Sequence, residues 1–186
     1  MINANVGNEK ASDLMAKKTA PPSKNPLIWK FIATYIILMG LSLLLLGLES
    51  VKEILDINGI YTRMIIYLSA LILKPFGIVQ SISGSVINLK GIALNVLFGC
   101  NGLEAFLIYS VAILSFPATK QKKLIGITAG FVIIQIINVL RIAGLGLIGF
   151  YFKQYFHYFH IYIAQGMMIA VALVLFLFWL NYAQQE

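Results

Sequence analysis

Charged residues and cysteine are both scarce in this sequence. Of its 186 residues only 11% are Asp, Glu, Lys or Arg, whereas 60% are hydrophobic. A water-soluble domain carries about 25% charged residues, so the composition predicts an integral membrane protein with one compact domain. The single cysteine excludes a disulfide framework and a CxxC redox or zinc motif. With only two histidines beside it, the chain is short of metal ligands. We therefore expect no metal and no other cofactor.

The net charge of +7 suggests nucleic-acid binding, but the positions of the lysines argue against it. Lysines cluster at 10–30 and 120–123, next to hydrophobic segments. Such clusters are typical of the cytoplasmic flanks of membrane spans. We therefore expect the lipid bilayer, and no nucleic acid, as a partner, with these lysines in solvated cytoplasmic segments.

Four long hydrophobic segments predict transmembrane helices. They cover residues 31–48, 103–116, 124–150 and 161–182. The polar residues 1–26 predict a disordered cytoplasmic tail, and residues 27–186 predict the integral membrane domain. If the basic loop 120–123 is cytoplasmic, alternation of the spans places Cys100 and the segment 151–160 at the outer face.

The segment 49–80 is too polar for an ordinary crossing. Only ten residues separate Arg63 from Lys74, about 15 Å of helix and half of a hydrocarbon core. At helical spacing, one face carries Lys52, Asp56, Gly59, Arg63, Tyr67, Ala70 and Lys74. The opposite faces carry Ile54, Ile57, Ile65, Leu68, Leu71 and Ile72. We predict an interfacial or partly re-entrant helix that Pro75 and Gly77 end or kink.

Residues 79–99 differ in character from the spans, because Gly84 and Gly91 interrupt short apolar runs. This pattern predicts two short extended pieces or a re-entrant loop, with a short helical span as the alternative. The predicted fold class is an all-α membrane protein. It is a polytopic bundle of four to six transmembrane helices, with an interfacial or re-entrant segment before Cys100.

The only cysteine lies in the sequence VLFGCNGLEAF, residues 96–106. A tight turn with Asn101 and Gly102 there runs into an apolar helix. A thiol at a helix N-terminus faces the positive end of the helix dipole, which stabilises a thiolate. Flanking glycines leave backbone N–H groups for a developing negative charge. This environment suits a nucleophile, although most lone cysteines in apolar chains are small buried hydrophobic residues.

A polar face on the 124–150 segment carries an arginine. Gln135, Asn138 and Arg141 are spaced three residues apart and share one side of the helix. An arginine inside a span indicates a functional site by default. Glu104, one turn after Cys100, offers the alternative of a structural ion pair with Arg141.

Two histidines, His157 and His160, lie in the sequence YFHYFHIY at the mouth of the last predicted span. They are the only side chains expected to titrate near neutral pH. An interfacial aromatic belt with polar tips is the alternative explanation.

Together, a cysteine, a histidine and an arginine on one membrane face suit thiol-dependent acyl transfer. The cysteine attacks an amide carbonyl to give a tetrahedral intermediate and then a thioester, while a histidine moves the proton. The guanidinium and nearby backbone N–H groups stabilise the thiolate and the oxyanion. A proton pathway through Glu104 and Arg141 is an alternative. The competing class is a small non-catalytic transporter or assembly subunit with a structural Arg–Glu pair.

Three motifs, in this order, resemble the exosortase/archaeosortase family of membrane-embedded cysteine transpeptidases. They are FGCNGLEAF, NVLRIAGL and FHIYIAQG. The glycine-punctuated lead-in GIVQSISGSVINLKGIALNVLFG also resembles the segment before the family's cysteine. The similarity covers roughly residues 65–182 and is closest to short bacterial members.

The resemblance implies that Cys100 is the nucleophile, Arg141 the charge stabiliser and His160 the third catalytic residue. The supporting or alternative site residues are His157, Asn138, Glu104, Asn101 and Gly102. Asn101 replaces a serine that often follows the family's cysteine. The presence of His157 leaves the acid–base assignment open. The sequence that follows His160 favours His160.

The resemblance also implies a substrate and a location. The substrates would be secreted proteins with a C-terminal sorting signal: a short motif, a hydrophobic helix and a basic tail, as in PEP-CTERM-like proteins. The enzyme would be a multi-pass protein of the bacterial cytoplasmic (inner) membrane with its site on the extracytoplasmic side.

Overall fold

A computed structural model describes residues 26–48, 59–96 and 100–185. Its elements in chain order are α1 (Pro26–Gly47), α2 (Ile60–Leu73), a 3₁₀ turn (Lys74–Phe76), β1 (Val79–Ser83), β2 (Val86–Leu89), β3 (Ile92–Asn95), α3 (Leu103–Ser115), α4 (Lys120–Tyr151), a 3₁₀ turn (Lys153–Tyr155), a short helical turn (Phe156–Tyr158), a π-helical segment (Phe159–Ala164) and α5 (Gln165–Gln184). The predicted tail, apart from residue 26, and residues 49–58 of the predicted interfacial helix lie outside the described residues.

Three described helical stretches are long and apolar enough to cross a membrane. They are Ile28–Leu45 within α1, Lys120–Tyr151 and Lys153–Gln184. Helix α3 is apolar but has only 13 residues, about 20 Å against a hydrocarbon core of about 30 Å. The predicted membrane protein of helical spans is confirmed, whereas four to six spans stay a prediction.

The segment before Cys100 forms a three-stranded antiparallel sheet in the order β1-β2-β3. Gly84 (φ 59°) and Gly91 (φ 88°) occupy the two hairpin turns, where the backbone requires the left-handed region. The prediction of extended pieces is confirmed, with a third strand added, and the alternative of a short helical span is wrong. Within the described ranges this sheet is the one departure from the predicted all-α fold.

Helix α2 buries one face against the rest of the protein. Its buried residues are Thr62, Ile65, Ile66, Ser69, Ala70 and Leu73. Leu68, Leu71 and Ile72, which the sequence places on the apolar side of the helix, are exposed. The small Ser69 and Ala70 suit close packing, and α2 packs against α4. Exposed leucines cost little in a protein surrounded by lipid, so the exposed apolar side suits the predicted interfacial or partly re-entrant helix.

Helix α4 begins earlier than predicted. Thr119 precedes its first turn, and the Thr119 hydroxyl accepts a hydrogen bond from the Lys122 N–H at 3.5 Å. This N-cap starts the helix at Lys120. Residues 120–123 are therefore the first turn of α4 and not a loop.

The lysines of this first turn bind the ends of two other helices. Lys122 Nζ donates to the carbonyls of Ala183 (3.1 Å) and Gln185 (2.9 Å), at the end of α5. Lys123 Nζ donates to the Leu114 carbonyl at 2.8 Å, at the end of α3. The ammonium groups thus satisfy carbonyls that have no intrahelical partner, a role beyond the solvated charge predicted.

The buried hydrophobic residues form two clusters that share α4. One joins α2, the sheet and the later part of α4, and it includes Ile66, Ile87 and Ile142. The other joins α3, the earlier part of α4 and α5, and it includes Tyr109, Ile134 and Trp179. Asn138 and Arg141 lie on α4 where the two clusters meet.

Helix order gives the bundle two distinct ends. Phe31, near the start of α1, contacts the rings of Phe116 and Phe176 at 6.2 Å each. The start of α1, the end of α3 and the end of α5 therefore lie with Lys122 at one end, which we call the basic end. Cys100 and the segment 156–164 lie at the other, which we call the site end.

Candidate active site

The turn that carries Cys100 depends on a glycine. Gly102 has φ 82° and precedes α3, a conformation that L-residues with side chains rarely adopt. A Cβ at this position would lie 2.9 Å from the side-chain amide of Asn138 and 3.0 Å from Gln135 Oε1. The glycine therefore permits both the bend and the close approach of α4.

Asn101 fastens the turn to α2. Its side chain is fully buried; Nδ2 donates to Thr62 Oγ1 at 3.3 Å, and Oδ1 accepts from the Leu103 N–H at 3.2 Å. Its backbone carbonyl accepts a 3.0 Å hydrogen bond from the Tyr61 hydroxyl. Burial raises the pKa of Tyr61, so this hydroxyl stays protonated and remains a donor.

Arg141 fastens the same turn to α4. Its side chain is only 7% exposed, and Nη2 donates to the backbone carbonyl of Cys100. Arg141 Nε is buried and has no hydrogen-bond partner among the described residues. The structure thus places a buried cation next to the backbone of Cys100.

Glu104 does not form a direct ion pair with that cation. It is exposed, and it lines the same cleft as Arg141 and Gln165. No ion pair joins Glu104 to Arg141 in the part of the chain that the structure describes. The structural Arg–Glu pair of the competing interpretation is therefore not formed here.

His160 lies beside the thiol. Its Nε2 is 3.7 Å from Cys100 Sγ, within the range of a hydrogen bond to sulfur. The imidazole stacks on Phe156, with centroids 5.8 Å apart and planes inclined by 15°. His160 Nδ1 is buried and lacks a partner within the described ranges. The ring is thus positioned by packing on one face and directed at the thiol by one nitrogen.

His157 occupies a different environment, although it lies only three residues earlier. It is exposed, and no hydrogen bond links it to the described part of the Cys100 turn. His160 belongs to the π-helical segment Phe159–Ala164, a feature that the sequence analysis did not predict. Such segments often occur at functional sites.

Two buried amides complete the polar surroundings. Gln135 and Asn138 are 8% and 0% exposed, and their side-chain oxygen and nitrogen atoms have no hydrogen-bond partners among the described residues. Both contact the position of Gly102. They thus line the turn from the side of α4, as their spacing from Arg141 predicts.

Two clefts meet at Arg141. The first, which we call the thiol cleft, has a volume of about 460 Å³ and is lined by Ala93, Leu94, Asn95, Val96, Cys100, Arg141, Ile142, Leu145, Phe156 and His160. The second, of about 490 Å³, includes Gly102, Glu104, Arg141 and Gln165. The thiol cleft is where a substrate would reach both Cys100 and His160.

The donor set does not suit a metal ion. Within the described residues, no group of three or more His, Cys, Asp or Glu side chains could hold one. A thiol, an imidazole and a guanidinium instead provide a nucleophile, a proton acceptor and a fixed positive charge.

Comparison with protein families relates the chain to a known family. A family model described as transmembrane exosortase matches residues 27–179. The match runs from α1 into α5 and so begins well before the segment that the motifs cover. Searches of curated proteins and of solved structures each found no match.

Proposed function

The chain belongs to the transmembrane exosortase family, and we propose that it is a membrane-embedded cysteine peptidase or transpeptidase. Its proposed substrates are secreted proteins with a PEP-CTERM-like C-terminal sorting signal. The single observation that carries the proposal is the 3.7 Å distance between Cys100 Sγ and His160 Nε2. A nucleophile beside a base is the signature of covalent catalysis, and the pair is often looser before substrate binds.

In the first step, His160 Nε2 accepts the thiol proton as Cys100 Sγ attacks the carbonyl carbon of the scissile amide. A carbon–sulfur bond forms, and the carbonyl oxygen becomes an oxyanion. The intermediate then collapses: the carbon–nitrogen bond breaks, and His160 returns the proton to the leaving amine. The product of this step is a thioester on Cys100.

In the second step, water or an amine attacks the thioester carbonyl. His160 accepts a proton from the attacking group and gives it to the departing thiolate, and the carbon–sulfur bond breaks. Water gives a carboxylic acid and amine gives a new amide. The proposal covers both outcomes, because neither changes the roles of Cys100 and His160.

Arg141 supports both steps through its charge. Its hydrogen bond to the Cys100 carbonyl keeps the guanidinium next to the reacting residue, away from bulk water. A fixed cation in such surroundings stabilises a thiolate and an oxyanion more strongly than it would in water. We assign Arg141 this role in addition to holding the turn.

We place the site end at the extracytoplasmic face of a bacterial inner membrane. Eight of the fourteen Lys and Arg residues precede α1 in the sequence, or lie near the start of α1 or in the first turn of α4. These are Lys10, Lys17, Lys18, Lys24, Lys30, Lys120, Lys122 and Lys123. The excess favours a cytoplasmic location for the basic end.

The test of the proposed function is Cys100→Ser with a co-expressed secreted reporter that ends in a PEP-CTERM-like signal. The substitution keeps the size of the side chain but replaces the thiol, so cleavage should fall at least about 100-fold. Ser115→Ala, at the end of α3 and far from the site end, is the control. Cleavage by Cys100→Ser at the parent rate would overturn the proposal.

A further inference from the structure

Strand β3 is an edge strand of its sheet in the described part of the chain. The hydrogen bond from the Val96 N–H to the Ser85 carbonyl, at 2.8 Å, sets the phase of the ladder between β2 and β3. Backbone groups of an antiparallel strand point alternately to either side. The N–H and C=O groups of Leu94 therefore point toward β2, whereas those of Ala93 and Asn95 point to the outer edge of β3.

This outer edge lines the thiol cleft. Residues 93–96 share that cleft with Cys100, Phe156 and His160. The strand ends at Asn95, five residues before Cys100. Backbone donors and acceptors thus lie next to the thiol and the imidazole, in a cleft whose other linings are mostly apolar.

The strand is held firmly on its inner face. Leu94 and Val96 are 6% and 3% exposed and belong to the hydrophobic cluster with α2 and α4. Ile92 packs against α4 so closely that a Cβ at Gly149 would lie 2.9 Å from its Cδ1. The side chain of Ala93 is exposed but small, so a second backbone has room to approach.

Building on the proposed function, we propose that the substrate binds as an added β-strand on the outer edge of β3. An extended segment next to the scissile bond pairs with the N–H and C=O groups of Ala93 and Asn95. This pairing delivers the scissile carbonyl to Cys100.

The occupant is an extended peptide because only such a chain matches the edge. An extended backbone presents alternating donors and acceptors that fit a free strand edge. A helix has already used these groups, and a lipid acyl chain has none. The bound part of the substrate is therefore the short motif of the sorting signal and not its hydrophobic helix.

The test removes one outward donor from β3. Ala93→Pro lacks the N–H that faces the cleft but keeps the bonds to β2, since proline is tolerated where the N–H points away from a sheet. Cleavage of the PEP-CTERM-like reporter should fall about tenfold, the effect of one or two lost backbone hydrogen bonds. Alkylation of Cys100 by N-ethylmaleimide should be unchanged.

The matched control is Ile82→Pro on the opposite edge of the sheet. Ile82 pairs in register with Ile87. The N–H and C=O groups of Ile87 point toward Leu94 of β3. The N–H of Ile82 therefore points away from β2. This edge does not line the thiol cleft. Cleavage by Ile82→Pro should stay within about twofold of the parent.

Hydrogen exchange gives a second measurement that does not depend on proline. In Cys100→Ala, which retains uncleaved reporter, added reporter should slow deuterium uptake across residues 92–96 and leave residues 79–83 unchanged. Unchanged uptake at 92–96, or parent cleavage by Ala93→Pro, would overturn the edge inference. If Cys100→Ser stays inactive in the same assay, the peptidase proposal survives that result.

Discussion

At the scale of single residues, the site separates two histidines that the sequence presents as equivalent. His160 Nε2 lies 3.7 Å from the thiol, whereas His157 is exposed. A spacing of three residues would place both on neighbouring positions of a regular helix. Packing of His160 on Phe156 and the π-helical geometry decide which ring reaches Cys100.

The two histidines therefore predict a matched pair of variants. His160→Ala should lower the rate of reporter cleavage by about 100-fold or more, since it removes the group that we propose moves the proton. His157→Ala should stay within about threefold, as expected for an exposed position. Initial rates of cleavage in reconstituted proteoliposomes measure both. A larger loss for His157→Ala would reverse the assignment.

Arg141 predicts a second residue-scale outcome. Arg141→Lys keeps the positive charge but loses the planar fork and its buried Nε, so we expect cleavage to fall by about tenfold or more, as for a lost charged hydrogen bond. Arg63→Lys on the exposed side of α2 is the control and should be nearly neutral. The same cleavage assay checks both, and equal activity of all three proteins would exclude a specific role for the guanidinium.

At the scale of elements, glycines let α4 approach its neighbours. A Cβ at Gly130 would lie 2.0 Å from Tyr109 Cε1, and one at Gly126 would lie 2.2 Å from Trp179 Nε1. Neither ring is free to move, because the Tyr109 hydroxyl donates to the Gly126 carbonyl and Trp179 Nε1 donates to the Lys122 carbonyl, both at 2.9 Å. Small residues with these neighbours hold α3 and α5 close to α4.

This packing predicts opposite effects for two alanine substitutions in α4. Gly130→Ala should destabilise the protein by about 2 kcal/mol, because the added methyl overpacks the Tyr109 contact. Gly144→Ala has no atom within 4 Å of the added Cβ and should stabilise by about 0.5–1 kcal/mol through helix propensity. Thermal unfolding in detergent compares the two. Equal midpoints would contradict the close packing.

Local sequence patterns predicted most elements but not their contacts. The lengths of the apolar segments predicted the helices around 31–48, 103–116 and 161–182. The spacing of the glycines predicted the extended pieces before Cys100. The sequence did not indicate which face of α2 packs against α4, because residues such as Leu71 have lipid as an alternative to a protein core. The helix-capping role of Lys122 depends on α5, which lies far away in sequence, so no local pattern indicates it.

At the scale of the whole molecule, α4 connects the two hydrophobic clusters and carries Arg141 where they meet. Helix alternation in the sequence placed Cys100, Arg141 and His160 at one end of the bundle, and the structure brings them to one turn and one cleft. The hydrogen bonds that join Asn101 to Tyr61 and to Thr62 were not predictable, because they connect segments about forty residues apart. The catalytic roles themselves stay a prediction.

The two ends of the bundle predict a labelling experiment on sidedness. In a Cys100→Ser background, Gln154→Cys at the site end should react with a membrane-impermeant maleimide in intact cells. Gln121→Cys in the first turn of α4 should react only after permeabilisation, because positive flanks face the cytoplasm. Both glutamines are exposed, so reactivity reports location. The reverse pattern would place the site in the cytoplasm.

The π-helical segment Phe159–Ala164 also determines the rotational phase of the last helix. An α-helix turns by about 100° per residue, and a π-turn closes its hydrogen bond one residue later. Residues before the segment are thus rotated about the helix axis by about 100°, the turn of one residue, relative to a continuous α-helix. This segment therefore determines the direction of the His160 imidazole relative to the face that α5 turns to the bundle.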